Sequence, residues 1–248
     1  MNENAQPAGT LTHLRRYPVK GMSGEDLDEA FVTFAGLVGD RVYAFLDPQG
    51  NAEFPWMTAR VWAEMILLKP RFTSAPTALH RCPGDADYRI EVATPEGKQF
   101  DVAAPELRAH LETKFGRTIA LRFSERSMMD ARPVSLLSAQ SIEALSKEVG
   151  IPLDLRRFRP NFIVDWSSSG ARHEDSLIGR TIRIGDTAAF VVAKKDGRCK
   201  VITLDPDTAQ PAPEILEVVA RNHAGCLGVY AVVLREGIVR RGDPVFVD

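Results

Sequence analysis

Hydrophobic positions along this chain recur mostly in short runs separated by polar turns. Ala30–Phe34 alternates weakly, and Val42–Leu46 is a compact apolar run closed by Asp47-Pro48-Gln49-Gly50. Both read as strands with a turn after the second. Ile66–Leu68 and Tyr88–Ala93 are further strand candidates, and Thr94-Pro95-Glu96-Gly97 predicts a hairpin turn. From Pro105 the period changes. Leu107, Leu111 and Phe115 share one helical face, Pro105 suits the first helical position, and Gly116 is placed to end the helix. Thr118–Phe123 returns to strand, and residues 124–135 form a polar stretch that suggests a boundary between two strand-rich parts. A second helix follows, with Ser138 as its N-cap, a stripe of Ile142, Leu145 and Val149, and Gly150 and Pro152 as its stop. Phe162–Trp166, the segment after Leu177-Ile178-Gly179-Arg180, Phe190–Ala193, Val201–Leu204, Val229–Leu234 and Val245–Val247 all read as strands, with Gly185-Asp186 as a turn. A third helix runs from Pro213 to about Asn222.

Many short strands, frequent glycine turns and a few helices predict a mainly β fold with helices, a β-barrel or sandwich of α+β type. Regular strand–helix alternation is missing, so a doubly wound nucleotide fold is disfavoured. No G-x-G-x-x-G, phosphate-loop motif or fixed-period repeat occurs. Residues 1–9 read as a frayed polar tail with none of the apolar core of a signal peptide.

Composition narrows the function classes. At 44% hydrophobic and 26% charged, the chain is ordinary for a globular protein. A net charge of -2 offers no global field for nucleic acid or acidic membrane. No run approaches the roughly 18 apolar residues of a membrane span. The three cysteines, Cys82, Cys199 and Cys226, are widely spaced and form no C-x-x-C. That argues against a disulfide framework or a four-cysteine metal site and suits a reducing, cytoplasmic setting.

Four features carry candidate chemistry. In Lys194-Lys195-Asp196-Gly197-Arg198-Cys199 the basic neighbours favour a thiolate, the form that binds soft metals. The alternative is a surface loop whose cysteine begins a buried strand. Arg156-Arg157-Phe158-Arg159-Pro160-Asn161 clusters guanidinium forks that match oxyanions, unless they pair with Asp154 or Asp165. Tyr17-Pro18-Val19-Lys20-Gly21, Gly39-Asp40-Arg41 and Thr58-Ala59-Arg60 each set a cation beside a turn, as ordinary surface charge also does. Asp130-Ala131-Arg132-Pro133 leads to Ser138 and Ser141, which either hold an anion at a helix start or simply cap it. The five histidines make no H-E-x-x-H face, and His173-Glu174-Asp175 reads as a solvated turn. Asp205-Pro206-Asp207 reads as a turn without calcium-loop spacing.

Taken in order, these segments resemble the MOSC-domain family, named for the C-terminal domain of molybdenum cofactor sulfurases. The likeness is strongest to its branch of amidoxime-reducing components, and it runs from about Leu11 to Val247. Residues 10–123 resemble the family's N-terminal β-barrel domain. They carry Tyr17-Pro18-Val19-Lys20, Gly39-Asp40-Arg41 and Thr58-Ala59-Arg60. Residues 124–248 resemble the MOSC domain packed on it. They carry Arg157-Phe158-Arg159-Pro160-Asn161, Arg198-Cys199, Thr203-Leu204-Asp205-Pro206-Asp207-Thr208 and Gly228-Val229-Tyr230.

The resemblance implies that Cys199 coordinates the molybdenum of a molybdopterin cofactor. It places Lys20, Arg41, Thr58, Arg60, Arg159, Asn161, Arg198 and Thr203 around that group, and it matches Ser138 and Ser141 to a Ser-x-x-Ser element. Asp205 is implied as an orienting residue. The implied activity is reduction of N-hydroxylated or N-oxygenated small molecules. No iron–sulfur segment follows Gly242-Asp243-Pro244 in this sequence, so electrons are expected from a separate iron–sulfur or flavin protein. The same resemblance allows a cofactor carrier or sulfur-transfer protein that uses Cys199.

Overall fold

A computed structural model describes residues 6–74, 88–167, 170 and 173–248. Cys82, His80 and the first five residues of the tail lie outside the described residues.

The largest sheet contains β1 (Gly9–Arg16) and a short β2 (Glu25–Leu27) at its edge. Next along the chain come β3 (Glu29–Thr33), β4 (Gly36–Leu37), β5 (Tyr43–Leu46), β6 (Lys69–Phe72), β7 (Ile90–Ala93), β8 (Gln99–Asp101) and β9 (Ala120–Phe123). The later strands are β10 (Val134–Ser138), β11 (Phe162–Trp166), β12 (Thr181–Ile184), β13 (Ala188–Gly197), β14 (Cys226–Arg235), β15 (Gly237–Arg240) and β16 (Pro244–Val247).

Strands β11-β10-β14-β13-β12-β16-β1 run side by side, and β1 pairs back onto β11, which closes a barrel. The first described strand therefore sits between the last strand and β11, with Gly9 opposite Val245 and Leu14 opposite Phe162. Closure leaves no barrel edge for another chain to pair with. Alternate positions point inward, so Leu11, Leu136, Phe162, Ile182, Phe190 and Val229 fill the interior.

The crossover between the parallel neighbours β10 and β11 carries α2 (Ala139–Val149). A parallel pair cannot be joined by a tight turn, and the helix supplies the return path. Helix α2 packs with α4 (Pro213–His223) through Ile142, Leu145, Ile215 and Val219. Between them in sequence lies the single-turn α3 (His173–Ser176).

The segment from Val19 to Phe123 builds a second core from Met22, Phe45, Met65, Leu107 and Leu111. It contains the meander β6-β7-β8, the pair β5-β9 and α1 (Pro105–Phe115). Strand β15 pairs with β3, Val239 opposite Ala30, and both residues belong to the barrel core.

The mainly β architecture with helices agrees with the hydrophobic pattern, and helix starts and stops fall where their caps predict. Gly116 and Gly150 both adopt the left-handed conformation (φ 68° and 83°) that closes α1 and α2. Two predicted strands are not strands. Ile66–Leu68 overlaps the end of the 3-10 helix Ala63–Leu67, with Leu68 as its C-cap, and Val201–Leu204 overlaps the 3-10 turn Lys200–Thr203. Short apolar runs of this length suit either geometry, and bonds from Leu68 N to Met65 O and from Ile202 N to Cys199 O select the tight helix. Strand β10 is wholly buried, although it begins inside the stretch that reads as a polar connection.

Candidate functional site

The turns after β1 and before β5 meet the segment before β11 around one aromatic ring. Tyr17 is 1% exposed, and its hydroxyl donates to Pro160 O at 3.1 Å. The guanidinium carbons of Arg41 and Arg159 each lie 4.4 Å from its ring centroid, a cation–π arrangement. Both arginines hold left-handed backbone, with φ of 51° and 54°. That conformation is uncommon for a residue with a Cβ and persists where surrounding contacts enforce it. Here Arg41 N donates to Tyr17 O at 2.6 Å and Arg41 Nη2 donates to Arg159 O at 3.2 Å, so the two bends brace each other.

Asp40 lies beneath them, fully buried. It accepts from Tyr17 N (2.8 Å), Arg41 Nη1 (2.5 Å) and Ser127 Oγ (3.3 Å). Burial alone would pull the Arg41 guanidinium down, but Asp40 outweighs it and holds that pKa above its ordinary value. Arg159 has no such partner. Burial, with repulsion from Arg41 and Arg15, pushes it down to about 10. Among the described residues no carboxylate lies within ion-pair distance of it.

These cations open into a cleft enclosing about 760 Å³, counted to its mouth. Lys20, Arg41, Thr58, Arg60, Arg159, Arg198 and Cys199 all line it, so the fold brings together seven of the twelve residues singled out in sequence. Lys20 Nζ donates to Met128 O at 2.7 Å and pairs with Asp130, which also faces Arg60 at 3.6 Å. Burial lowers the Lys20 pKa against the pull of Asp130. Burial would raise the Asp130 carboxyl, yet Lys20 and then Arg60 hold it below its ordinary range. Phe54, on the cleft lining, stacks on Arg60 (4.5 Å), and the Trp56 ring lies 5.5 Å from Lys20 Nζ.

Cys199 precedes the 3-10 turn Lys200–Thr203 in extended backbone and is half-buried. Its sequence neighbours do not form its electrostatic surroundings in the way the charge run suggests. Lys194 and Lys195 lie outside the cleft lining, and Lys195 faces Asp175 at 3.4 Å. Arg198 pairs with Asp196 at 3.0 Å and donates to Leu227 O and Phe158 O.

The other five singled-out residues lie behind the cleft. Ser138 caps α2 by accepting from Ser141 N at 3.0 Å, and its hydroxyl donates to Ser141 Oγ at 2.7 Å. Ser141 Oγ donates in turn to Glu174 at 2.8 Å. Glu174 is fully buried, so His173-Glu174-Asp175 is not the solvated turn its polarity suggests. Asn161 bonds Ser135 N and Arg15 O and locks β10 to β1. Thr203 O and Asp205 both hold Arg157, at 2.8 and 3.0 Å, and Asp205 also accepts from Asp207 N and Thr208 N. Arg157 then lines the cleft. Arg156 pairs with Asp154 and Asp207, the bland reading of that arginine run.

Sequence reading missed Asp130, Asp196 and Tyr230 as cleft-lining residues and Tyr17 as the ring that braces Arg41 and Arg159, although each lies in a quoted segment. Asp196 and Tyr230 adjoin Cys199 across β13 and β14 and line the cleft. Burial pushes the Asp196 carboxyl up against the opposing Arg198, and burial with Asp196 pushes the Tyr230 hydroxyl up. Both hold their protons more firmly than in water.

The donor set fits a molybdenum–pterin group. Among the described residues no cluster of three His, Cys, Asp or Glu side chains could hold a metal ion. A metal on Cys199 would therefore bring its other ligands with it. An unpaired Arg159 beside Lys20 and Arg41 suits an anionic ligand such as a pterin phosphate.

Comparison with known proteins bears on the same chain. The MOSC N-terminal beta barrel domain model matches residues 8–118, and the MOSC domain model matches residues 124–246. Mitochondrial amidoxime-reducing component 1 of Xenopus laevis is 25% identical, over 98% of this chain and 83% of its own length. Molybdenum cofactor sulfurase of Drosophila grimshawi is 25% identical over 89% of this chain, which spans only 31% of that protein. The YUAD protein from Bacillus subtilis shares the fold, with a TM-score of 0.52 at 15% identity, covering 96% of this chain and 94% of that one. Among the described residues no helix is long and apolar enough to cross a membrane. Two family models that together span nearly the whole chain place this protein in the MOSC-domain family, whose relatives are associated with the molybdenum cofactor.

Proposed function

We propose that this protein is a molybdenum-cofactor-dependent reductase of N-hydroxylated or N-oxygenated small molecules, supplied with electrons by a separate iron–sulfur or flavin protein. The observation that carries the reading is the meeting of Cys199 with Lys20, Arg41, Arg60 and Arg159 in one cleft. The similarity to amidoxime-reducing component 1 supports the choice of reaction.

Cys199 would hold the metal as a thiolate, a soft ligand matched to it. Lys20, Arg41 and Arg159 would hold the phosphate and pterin. Arg60, with Phe54 against it, would close the rim. The bound group supplies two-electron chemistry that protein side chains lack. The balance is N–OH plus two electrons and two protons giving N–H plus water.

The chain's own contribution is binding and proton handling. Asp196 and Tyr230 sit on the cleft wall, where burial raises both groups; a raised carboxyl is the direction that suits a proton donor, and the Tyr230 hydroxyl stays protonated as a hydrogen-bond donor. Thr203 and Asp205 act one step back, by fixing Arg157. The reading places the protein in the reducing cytoplasm, where Cys199 stays reduced.

The experiment is production with the cofactor supplied, followed by molybdenum and pterin analysis of wild type and Cys199→Ser. Benzamidoxime reduction is then measured with an artificial donor. Wild type is expected to hold stoichiometric molybdenum and turn over, while Cys199→Ser loses sulfur coordination in X-ray absorption. Full molybdenum content with no reduction of any N-hydroxylated compound refutes the reductase. The match to molybdenum cofactor sulfurase supports a second reading, a cofactor or sulfur carrier. Labile sulfane sulfur on Cys199 would select it.

A further inference from the structure

A second cavity, enclosing about 1300 Å³ counted to its mouth, adjoins the first and shares Arg157, Arg159 and Val201 with it. Its lining is cationic in a chain of net charge -2. It holds Arg15, Lys69, Arg71, Arg156, Arg157 and Arg159 against only three carboxylates, Glu25, Asp26 and Asp207.

The carboxylates are already engaged. Glu25 pairs with Arg16 at 2.7 Å, Asp26 with Arg15 at 2.6 Å, and Asp207 with Arg156 at 2.5 Å. Arg157 is held by Asp205 at 3.0 Å. Beside Arg159, which faces the cofactor cleft from the shared wall, two further cations remain: Lys69 and Arg71. Among the described residues none of them has a carboxylate within ion-pair distance.

Strand β6 explains how two of them are aimed. Among the described residues it pairs only with β7, and it alternates exposed Lys69 and Arg71 with buried Pro70, so both cations stand on one face, toward the groove. Arg159 reaches the shared wall from its strained turn. Like charges gathered in a concave, half-enclosed wall repel one another and are stabilised by an oxyanion between them. A groove of this shape favours the tail of a small molecule over the flat face of a protein.

We propose that this groove binds a carboxylate or phosphate tail of the substrate whose N-hydroxyl end enters the Cys199 cleft. The proposal rests on the reading of that cleft as the reacting centre. It narrows the substrate class to N-hydroxylated compounds that carry an anionic group at the far end.

The test compares benzamidoxime with 4-carboxybenzamidoxime in the cofactor-loaded protein and in a Lys69→Ala/Arg71→Ala double variant. Both substituted residues are exposed and lie outside the cofactor cleft, so the fold and benzamidoxime turnover are expected to stay as in wild type. Calorimetry at low salt should show the carboxylated compound binding about tenfold more tightly than the neutral one, the worth of one charge-assisted contact. The preference should vanish in the double variant and survive in Arg71→Lys. The ratio of kcat/KM for the two compounds should follow the same pattern.

Equal binding of the two compounds by wild type overturns the proposal, as does a preference that survives in the double variant. Inorganic phosphate binding as tightly as the carboxylated compound would make the groove a free-anion site and overturn it too. A weakened electron-donor interaction in the double variant, with no carboxylate preference in wild type, would make it a docking face instead. Calorimetry needs no turnover, so a protein that binds the carboxylated compound through Lys69 and Arg71 yet reduces neither compound counts against the reductase reading alone.

Discussion

Replacing Asp40 by alanine should cost far more than its single carboxylate suggests, and should strip the cofactor cleft of order. The side chain is 0% exposed and accepts three hydrogen bonds, from Tyr17 N, Arg41 Nη1 and Ser127 Oγ. Asp40→Ala leaves the Arg41 guanidinium buried beside Arg159 O and the Tyr17 ring, with no carboxylate within ion-pair distance among the described residues. Removing one member of a buried ion pair costs about 3–5 kcal/mol, most of it the desolvation of the abandoned charge. In a chain of this length each kcal/mol is about 2–4 °C in melting temperature, so a loss of about 4 kcal/mol lowers Tm by about 8–16 °C. Asp40→Asn keeps an oxygen for Tyr17 N but no charge, and should lose about half as much. The assay is urea denaturation followed by tryptophan fluorescence, with molybdenum content measured on the same preparations. Both are expected to fall together, because the turn that positions Arg41 is the turn Asp40 anchors. A loss below about 1 kcal/mol for Asp40→Ala, the value of an exposed pair, would refute a buried and cooperative arrangement.

Ser138→Ala separates helix capping from ligand binding. With the cap bond to Ser141 N and the hydroxyl bond to Ser141 Oγ both lost, stability should drop by about 1–2 kcal/mol with molybdenum content unchanged. An unchanged urea midpoint with lost molybdenum would make Ser138 a ligand-holding residue instead. Asp130 gives a pH signature. Its carboxyl is held below its ordinary range, so its folded form contributes stability above the unfolded carboxylate pKa, and that contribution disappears as pH falls through the lowered value. Asp130→Asn should therefore be less stable than wild type near neutral pH and converge on it in acid. A gap that widens on acidification contradicts the assignment.

Much of the secondary structure was legible because its signals are local. Pro105 and Gly116 frame α1, and Ser138 and Gly150 frame α2, since a cap or a left-handed stop needs only neighbouring residues. The 3-10 segments at Ala63–Leu67 and Lys200–Thr203 were not legible as helix, because three or four apolar residues carry no period. Glu174 was misread for another reason. A carboxylate looks solvated in sequence, and only its bond from Ser141 under α2 reveals why it is buried.

The candidate site divides in the same way. Residue order alone supports a mainly β chain, its capped helices, and a cysteine and several arginines worth attention. It pairs Cys199 with Lys194 and Lys195, since charge along a sequence is all it can count. The folded barrel makes a different choice. Lys195 faces Asp175, Arg198 is taken up by Asp196, and distant segments bring Lys20, Arg41, Arg60 and Arg159 into the cleft of Cys199. Coulombic energy depends on distance through space, and closing β1 against β11 brings residues far apart in the chain around Tyr17. Local chemistry decided which elements form, and barrel closure decided which charges meet the thiol.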